Sequence, residues 1–376
     1  RCAARHFAPA PGPMPACRLP RLAAASGAFG GLLGGAGAAD GVPTLAVTLT
    51  DWGFRGNFEN MIVMAKQFLG VWPFIVPLDA RTAEFVESRG FELLPLSQPF
   101  GDREPTFATR RRDVLVYNAV LYLLQRGARV VYFDMDVFWR ADVLAADAAD
   151  VDLSVLGHSY DATVNNGFFV AKPTRRSEVL FSTLVHWITT VATERQRLKC
   201  MDLDAFAFDY AVRGLGGLSG SPWETQSECQ SLSEEQLGAL RAAGTDLRWA
   251  YLPVRQFFHY GQPTPMVKRG EEFFPLVARG SVHLDPSDPS LQLLHLWGRA
   301  GSPDARAVLA CLMGFWQWYE PPAVQPGALG GCKWCDDGWP EILAAQLTHR
   351  QYAWCWGPSV HNASDPRAAL AWGAGR

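Results

Sequence analysis

The stretch RVVYFDMDVFW, residues 129–139, places two acidic residues one apart, directly after a run of apolar and aromatic side chains. Residues 130–133 are typical of a buried strand, because β-branched and aromatic side chains pack well on a pleated sheet. Asp134 and Asp136 follow at the strand end, where residues i and i+2 point to the same face. Carboxylates are costly to bury unless a positive partner meets them. The stretch therefore predicts that a cation binds the two carboxylates at the end of the strand.

Asp134 and Asp136 together predict a site for Mn²⁺ or Mg²⁺, which prefer oxygen ligands and often complete their shell with phosphate oxygens and water. A nucleotide diphosphate is the expected third party, because the cation would neutralise charge as the diphosphate departs. The plainer alternative is a pair of turn or helix-capping aspartates, which is common on protein surfaces. The position after an apolar strand favours the metal site.

Two further interpretations of the pair belong to other functional classes. FDMD, residues 133–136, is similar to the nucleophile motif of haloacid-dehalogenase-type phosphatases, in which the first Asp, here Asp134, attacks phosphorus. That motif normally lies on the first strand and is followed by Gly and then Thr or Val, whereas residues 137–139 are Val-Phe-Trp and come after several strands. The other alternative is a catalytically silent sugar- or nucleotide-binding protein, and the intact acidic pair argues against it.

The segments before this strand alternate between strand and helix patterns. Alternation and apolar runs predict strands in VPTLAVTLTD (42–51), WPFIVPLD (72–79) and FELLPL (91–96). Helical spacing, with a glycine at each end point, predicts helices in FENMIVMAKQFLG (58–70), ARTAEFVESRG (80–90) and RRDVLVYNAVLYLLQRG (111–127). The order predicts an α/β fold with a mostly parallel sheet flanked by helices. Ligands in such sheets bind beyond the carboxyl ends of the strands, where the acidic pair falls.

The second half of the chain continues the pattern less regularly. DLSVLGHS (152–159) and NNGFFVAKP (165–173) predict strands, and SEVLFSTLVHWITTVATERQRL (177–198) predicts one long helix. DLRWAYLPVRQFF (246–258) predicts a strand and a turn. We expect a single catalytic domain over residues 42–320 and a Cys- and Trp-rich extension over residues 321–376.

Composition limits the class of partner. The chain has 376 residues, a formal net charge of −3 and no long basic run, so it lacks the electrostatic footprint of a nucleic-acid-binding protein. Residues 1–41 are rich in Ala, Gly and Pro without a period and predict a stem or linker. Residues 22–39 are uncharged and long enough to span a bilayer, but their glycines favour a flexible linker. We expect a membrane tether before residue 1.

Several motifs in order resemble the nucleotide-diphospho-sugar transferases of glycosyltransferase family seventy-seven, enzymes of GT-A (Rossmann-like) fold known from plants, algae and protists. The segment LLQRGARVVYFDMDVFWRADVL (123–144) is similar to that family's helix, glycine, strand and DxD segment. The other similar segments are LTDWGFRGNFENMIVMAKQFLGV (49–71), FIVPLDARTAEFVESRG (74–90), VNNGFFVAKPT (164–174) and LLHLWGRAGSPDARAVLACLMGFW (293–316).

The resemblance implies a transferase that moves a sugar, pentose or galactose-like, from a UDP-sugar donor to a glycan or glycoprotein acceptor with retention of configuration. It implies Asn165 and Gly167 in the sugar pocket and His295 as a third metal ligand beside the two aspartates. It further implies Arg306 near the diphosphate, where the family more often has lysine. An arginine can bind phosphate with two hydrogen bonds, so we expect function to survive this exchange. His283 is the alternative metal ligand.

Two further positions follow from the resemblance with alternatives open. CMDLDAFAFDYAV (200–212) is similar to the family's Asp-Gln-x-x-Phe segment but has no Gln, so either Asp202 or Asp204 is expected to bind sugar hydroxyls. Either acid could instead cap the following helix. Arg112 opens the helix before the acidic strand and is expected to reach the donor, whereas a solvated helix face is its plainer interpretation.

Cysteines and a glycosylation sequon indicate the compartment. The chain has eight cysteines, and Asn362-Ala363-Ser364 forms a sequon in a turn-like context. Cys332, Cys335 and Cys355 have zinc-like spacing, but the sequon nearby favours disulfides in an oxidising compartment. We therefore expect a Golgi-lumenal protein of the secretory pathway, type II membrane-anchored in its full-length form.

Overall fold

The computed structural model describes residues 41–91, 93, 111–157, 164–199, 203–213, 232–244, 246–253, 257–260, 277–278, 281–282, 291–296, 303–312 and 315–317. The predictions for residues 1–40, for the extension over 321–376, and for Asp202 and His283 lie outside these residues and stay predictions.

The strands and helices follow the chain in mixed order. The strands are β1 (Thr44–Thr50), β2 (Phe74–Pro77), β3 (Arg129–Phe133), β4 (Val137–Trp139), β5 (Leu153–Gly157), β6 (Val164–Ala171), β7 (Trp249–Tyr251), β8 (Phe257–Tyr260), β9 (Val277–Ala278), β10 (Ser281–Val282) and β11 (Leu293–Leu296). The α-helices are α1 (Phe58–Met64), α2 (Ala80–Ser88), α3 (Arg111–Leu124), α4 (Arg175–His186), α5 (Glu194–Lys199), α6 (Leu203–Arg213), α7 (Glu234–Gly244) and α8 (Pro303–Leu312).

The central sheet has six strands in the order β2-β1-β3-β6-β5-β7. β1 pairs in parallel with both β2 and β3, and β5 pairs in parallel with β7. β6 is antiparallel to both of its neighbours, β3 and β5, so one strand of the six runs against the others. This arrangement confirms the predicted α/β class with a mostly parallel sheet flanked by helices.

A second, smaller sheet has the order β4-β11-β8. β11 pairs antiparallel to β4 and parallel to β8. One apolar core lies between the two sheets and includes Phe133, Phe168 and Trp139, all fully buried. A second core covers the other face of the central sheet with residues of α3, α4 and α6. Each face of the central sheet is therefore closed by its own layer.

The helix ends follow the signals in the sequence. The stretches after α2 and α3 pass through Gly90 (φ 80°) and Gly127 (φ 77°), whose left-handed backbone favours glycine because it has no Cβ. Asp79 begins α2 as its N-cap, since its carboxylate accepts from the backbone N–H of Thr82. The right-handed return from each helix then brings the chain back to the amino end of the next strand.

One predicted helix differs from the structure, and one predicted strand is described only in part. The long helix over residues 177–198 is wrong, because the chain forms α4, a π-helical turn over Trp187–Val191, an extended Ala192, and then α5. The run from Ile188 to Val191 is β-branched and weakens the helix, and Thr193 starts a new one by accepting from the backbone N–H of Gln196. In FELLPL, the described residue Leu93 forms only a single parallel bridge to Ile75.

An ionic cluster lies at the amino end of β5. Its centre is Asp152, which is fully buried. Its Oδ2 accepts from Arg176 Nε at 2.7 Å and from the backbone N–H of Arg248 at 2.9 Å. Burial alone raises the pKa of Asp152, but hydrogen bonds from Arg176, Arg248 and Thr174 outweigh it and leave the pKa below its usual 3.8. The carboxylate is thus held ionised by its neighbours.

Among the described helices, none combines the length and the apolar character that a membrane crossing requires.

Candidate metal and donor site

The acidic pair lies where the chain passes from one sheet to the other. β3 ends at Phe133 in the central sheet, and β4 begins at Val137 in the small sheet. The backbone N–H of Asp134 donates to the carbonyl of Gly167 on β6 at 2.8 Å, and the carbonyl of Asp136 accepts from Leu296 of β11 at 3.0 Å. One acid is therefore fixed to the central sheet and the other to the small sheet.

Three metal-ligating side chains converge at this point. Asp134, Asp136 and His295 each offer one ligand atom, and these atoms lie within 4.8 Å of one another. Asp136 is 4% exposed and His295 2% exposed, whereas Asp134 is half-buried, so the group opens on one side. His295 Nε2 lies 3.3 Å from Asp136 Oδ1. Two carboxylates and an imidazole are a donor set that fits Mn²⁺.

Arg306 supplies positive charge to the same acid. It lies on α8, and its Nη1 donates to Asp136 Oδ2. The side chain of Arg306 is 15% exposed and that of Asp136 6% exposed, so the pair is largely withdrawn from water. α8 packs against the 3₁₀ turn Trp52–Asn57 that follows β1, and the guanidinium lies 5.9 Å from the ring of Phe54. The structure thus joins the predicted phosphate-binding arginine to the acidic pair.

β6 supports His295 from the side opposite Asp136. The side-chain oxygen of Asn165 lies 3.0 Å from His295 Nδ1 and also accepts from the backbone N–H of Gly167 at 2.8 Å. A Cβ on Gly167 would lie 2.3 Å from His295 Cε1, closer than side-chain atoms pack. The imidazole therefore lies against bare backbone, which only glycine provides at this position.

Two residues that the sequence did not single out hold the acidic pair. Tyr132 donates its hydroxyl to Asp134 Oδ1 at 2.5 Å, and its buried ring stacks on Phe169. Asn57 donates its amide to the carbonyl of Met135, between the two acids, at 3.0 Å. Tyr132 was visible as a strand residue two positions before Asp134 and so on the same face, which is the signal that could have found it.

A sequence model of the nucleotide-diphospho-sugar transferases matches residues 73–273, more than half of the chain. The chain belongs to this family. It is therefore a glycosyltransferase by family, with a nucleotide-sugar donor, and the phosphatase interpretation of the acidic pair is set aside.

Solved structures similar to this nucleotide-diphospho-sugar transferase include two glycosyltransferases. The apo bifunctional glycosyltransferase WbbM is 12% identical with a TM-score of 0.38, over 79% of this chain and 52% of that one, so the chain spans about half its length. The apo form of mouse xyloside xylosyltransferase 1 is 7% identical with a TM-score of 0.32, over 67% of this chain and 97% of that one. A search of curated proteins found no match. The family assignment rests on the sequence match.

The remaining predicted residues of the transferase lie apart from the metal-ligating group or beyond description. Asp204 is the second residue of α6 and accepts from the amide of Asn166 at 2.8 Å. Asn166 follows Asn165 on β6 and so points to the opposite face of the sheet from His295. α6 begins at Leu203, and Asp202 lies outside the described residues.

Arg112 lies in the first turn of α3. The helix runs back across the sheet to β3, so its amino end lies at the same edge as the acidic pair. Trp316, which follows α8 in the chain, is 3% exposed and belongs to the core between the sheets.

A second polar cap occupies the same edge of the sheet of the transferase. Asp79 accepts from the backbone N–H of Trp52 at 3.2 Å and from the hydroxyl of Thr82 at 2.7 Å. Burial alone raises the pKa of Asp79, but the hydrogen bonds from Thr82 and Trp52 outweigh it and leave the pKa below its usual value. These contacts tie the turn after β1 to the start of α2.

Proposed function

We propose that this protein is a metal-dependent, retaining glycosyltransferase of family seventy-seven that transfers a pentose or galactose-like sugar from a UDP-sugar to a glycan or glycoprotein. The observation that carries the proposal is the gathering of Asp134, Asp136 and His295, with Arg306 on the same acid, at the carboxyl end of β3. This is the edge of a mostly parallel sheet at which ligands bind.

Asp134, Asp136 and His295 are proposed to hold Mn²⁺ or Mg²⁺. The fit rests on the chemistry of the donors, since hard carboxylate oxygens and a neutral imidazole suit Mn²⁺ well and Mg²⁺ less well. When bound, the cation supplies Lewis-acid stabilisation to the diphosphate of the donor. Asp134 is the half-buried member of the group, so a donor would reach the site from the side of Asp134.

Arg306, which contacts Asp136 in the structure, is proposed to bind the diphosphate of the donor. A guanidinium donates two parallel hydrogen bonds to phosphate oxygens and stays charged, which stabilises the leaving group. The acceptor hydroxyl would form its bond to the anomeric carbon on the face from which the diphosphate leaves, and its proton would pass to a diphosphate oxygen. Asp202 or Asp204 would bind sugar hydroxyls, and Arg112 would reach the donor.

The setting of the enzyme is proposed from the sequence. We propose a stem over residues 1–41, a catalytic domain over 42–320 and an extension over 321–376, with disulfides in preference to zinc in the extension. The protein would act in the Golgi lumen behind a type II membrane anchor. The sequon at Asn362 and the eight cysteines support an oxidising compartment.

The decisive experiment measures UDP release from a panel of UDP-sugars, pentoses and hexoses, with Mn²⁺ and with chelator. The proposal expects release with one donor class, its loss on chelation, and its return when Mn²⁺ is added back. Release that is equal with and without chelator would contradict the metal site. Release from no UDP-sugar, but from another nucleotide sugar, would contradict the choice of donor.

A further inference from the structure

We propose that Asn165 is a positioning residue that fixes the tautomer of His295, so that the Nε2 lone pair of the imidazole points at the cation site. The inference rests on the proposed metal function and assigns Asn165 a role different from the sugar contact that the family resemblance implied. It follows from which atoms can donate and which can only accept.

The orientation of the Asn165 amide is determined by its neighbours. The side chain is 5% exposed, and one of its terminal atoms lies 2.8 Å from the backbone N–H of Gly167. A backbone N–H bonds to an oxygen and not to an amide nitrogen, so the atom facing Gly167 is the carbonyl oxygen. The two ends of the amide, which are often confused, are distinguished here.

The same oxygen determines the proton on His295. It lies 3.0 Å from His295 Nδ1 and can only accept, so Nδ1 must carry a hydrogen. A neutral imidazole has one N–H, which leaves Nε2 with its lone pair. Nε2 lies 3.3 Å from Asp136 Oδ1, so its lone pair is placed beside a carboxylate oxygen with which it could share a cation.

Gly167 completes the cradle. Asn165 and Gly167 share one face of β6 because they are two residues apart on a strand. A Cβ on Gly167 would lie 2.9 Å from His295 Nδ1 as well as 2.3 Å from Cε1. The Asn-x-Gly sequence therefore provides a hydrogen-bond acceptor and a flat surface that together fix the plane of the ring.

Three variants test the inference. Asn165→Leu keeps the size of the side chain and removes the acceptor, whereas Asn165→Asp keeps an acceptor in the same place. Asn118→Leu is the matched control, since Asn118 on α3 is also a buried amide, 6% exposed, and its Nδ2 has no hydrogen-bond partner in the structure. Circular dichroism establishes that each variant is folded before the measurements.

The first measurement is calorimetry of Mn²⁺ in the presence of UDP. We expect Asn165→Leu to weaken Mn²⁺ binding by about ten- to a hundredfold, because the partner of a ligating histidine contributes that much to metal affinity. Asn165→Asp should stay within about threefold of wild type, because a carboxylate orients a histidine as an amide oxygen does. Asn118→Leu should not change the affinity.

The second measurement needs neither metal nor activity. Nitrogen-15 NMR of histidine-labelled, metal-free protein at about pH 8.5 reports the tautomer of the neutral imidazole. We expect His295 to carry its hydrogen on Nδ1 in wild type and Asn165→Asp, and to lose this preference in Asn165→Leu. Assignment uses His295→Gln, which removes the signal.

The outcomes separate the inference from the proposed function. Wild type that fails to bind Mn²⁺ would overturn the metal site, and the tautomer would still decide the role of Asn165. An Nε2-protonated His295 in wild type overturns the inference outright. Unchanged metal affinity and tautomer in Asn165→Leu, with a raised KM for the sugar donor, would return Asn165 to the sugar pocket.

Discussion

Two buried aspartates, Asp152 and Asp136, lie at opposite ends of the strands of the central sheet, and both contact arginine. Asp152 precedes β5 and contacts Arg176 and Arg248, whose side chains are 40% and 58% exposed. Asp136 follows β3, which runs in the same direction as β5, and contacts Arg306 and His295, whose side chains are 15% and 3% exposed. The first acid is thus joined to cations that stay in water, and the second to groups that are themselves buried.

The difference shows why burial of an acid does not by itself mark a functional site. The hydrogen bonds of Asp152 Oδ2 to Arg176 and to the backbone of Arg248 fix the start of β5. Those of Asp136 include an imidazole and a second acid, and among the described residues only this edge gathers three metal-ligating side chains. The chemistry of the neighbours, and not the cost of burial, separates a structural acid from a candidate ligand.

The largest expected effect separates the two acids by activity. Asp136→Asn should lower sugar transfer by about a hundredfold or more, because it removes a proposed metal ligand, which contributes at least as much to metal affinity as the hydrogen-bond partner of a ligand does. Asp152→Asn should keep transfer within about twofold at a temperature where the variant is folded. Asp152 lies at the other end of the strands, and substitutions at distant sites act independently. Initial rates of UDP release measure both. An equal loss of UDP release in the two variants would contradict the distinction between a functional Asp136 and a structural Asp152.

The next effect separates them by stability. Asp152→Asn should lower the free energy of unfolding by about 2 kcal/mol, because it removes the charge of a fully buried carboxylate that pairs with two arginines. Glu234→Gln is the control, since Glu234 lies 3.9 Å from Arg241 with a side chain 89% exposed, and exposed pairs contribute about 0.5 kcal/mol or less. Urea denaturation measures both, and equal losses would count against a structural role for Asp152.

A pair of glycines sharpens the contrast between site and scaffold. Gly167→Ala should weaken Mn²⁺ binding by about tenfold, because the new Cβ displaces the His295 ring from its cradle. Gly244→Ala places a Cβ 1.9 Å from the carbonyl oxygen of Ala211, so it should destabilise the fold by about 1–3 kcal/mol without changing metal affinity. Calorimetry and thermal unfolding of the two variants should give opposite patterns; the same pattern in both would contradict the cradle.

The smallest effect is the pH dependence of the Asp152 contribution. Because its pKa is lowered in the folded protein, its stabilisation is present above the pKa of the unfolded chain and is lost as pH falls through the folded value. The stability difference between wild type and Asp152→Asn should be constant at neutral pH and shrink below about pH 4. Urea titrations at several pH values check this, and a difference that persists unchanged at low pH would show that the charge of Asp152 is not its source.

The sequence predicted well wherever a local pattern decides the structure. The strand before the acidic pair, the helices ended by glycine and the alternation of the first half all depend on neighbours within a few residues. The break after α4 was missed, although the β-branched run and the Thr193 cap were visible. The apolar content of residues 177–191 suits a buried helix, and this outweighed the weaker signal for a break.

The site was only half accessible from the sequence. Asp134 and Asp136 are two positions apart in the chain, but Asn165 contacts His295 across 130 positions, and Arg306 contacts Asp136 across 170. No local pattern encodes such pairs, so His295 and Arg306 came from the family resemblance alone. The antiparallel direction of β6 was likewise invisible, because strand patterns carry no direction.

The passage of the chain from β3 to β4 places the proposed metal ligands where the two sheets meet. Asp134 is fastened to one sheet and Asp136 to the other, and His295 belongs to a strand that pairs with β4. A cation bound by these three side chains would link the central sheet to the small sheet. The two sheets could then not separate without releasing the cation. Binding of the cation would therefore also stabilise the packing of the two sheets that carry its ligands.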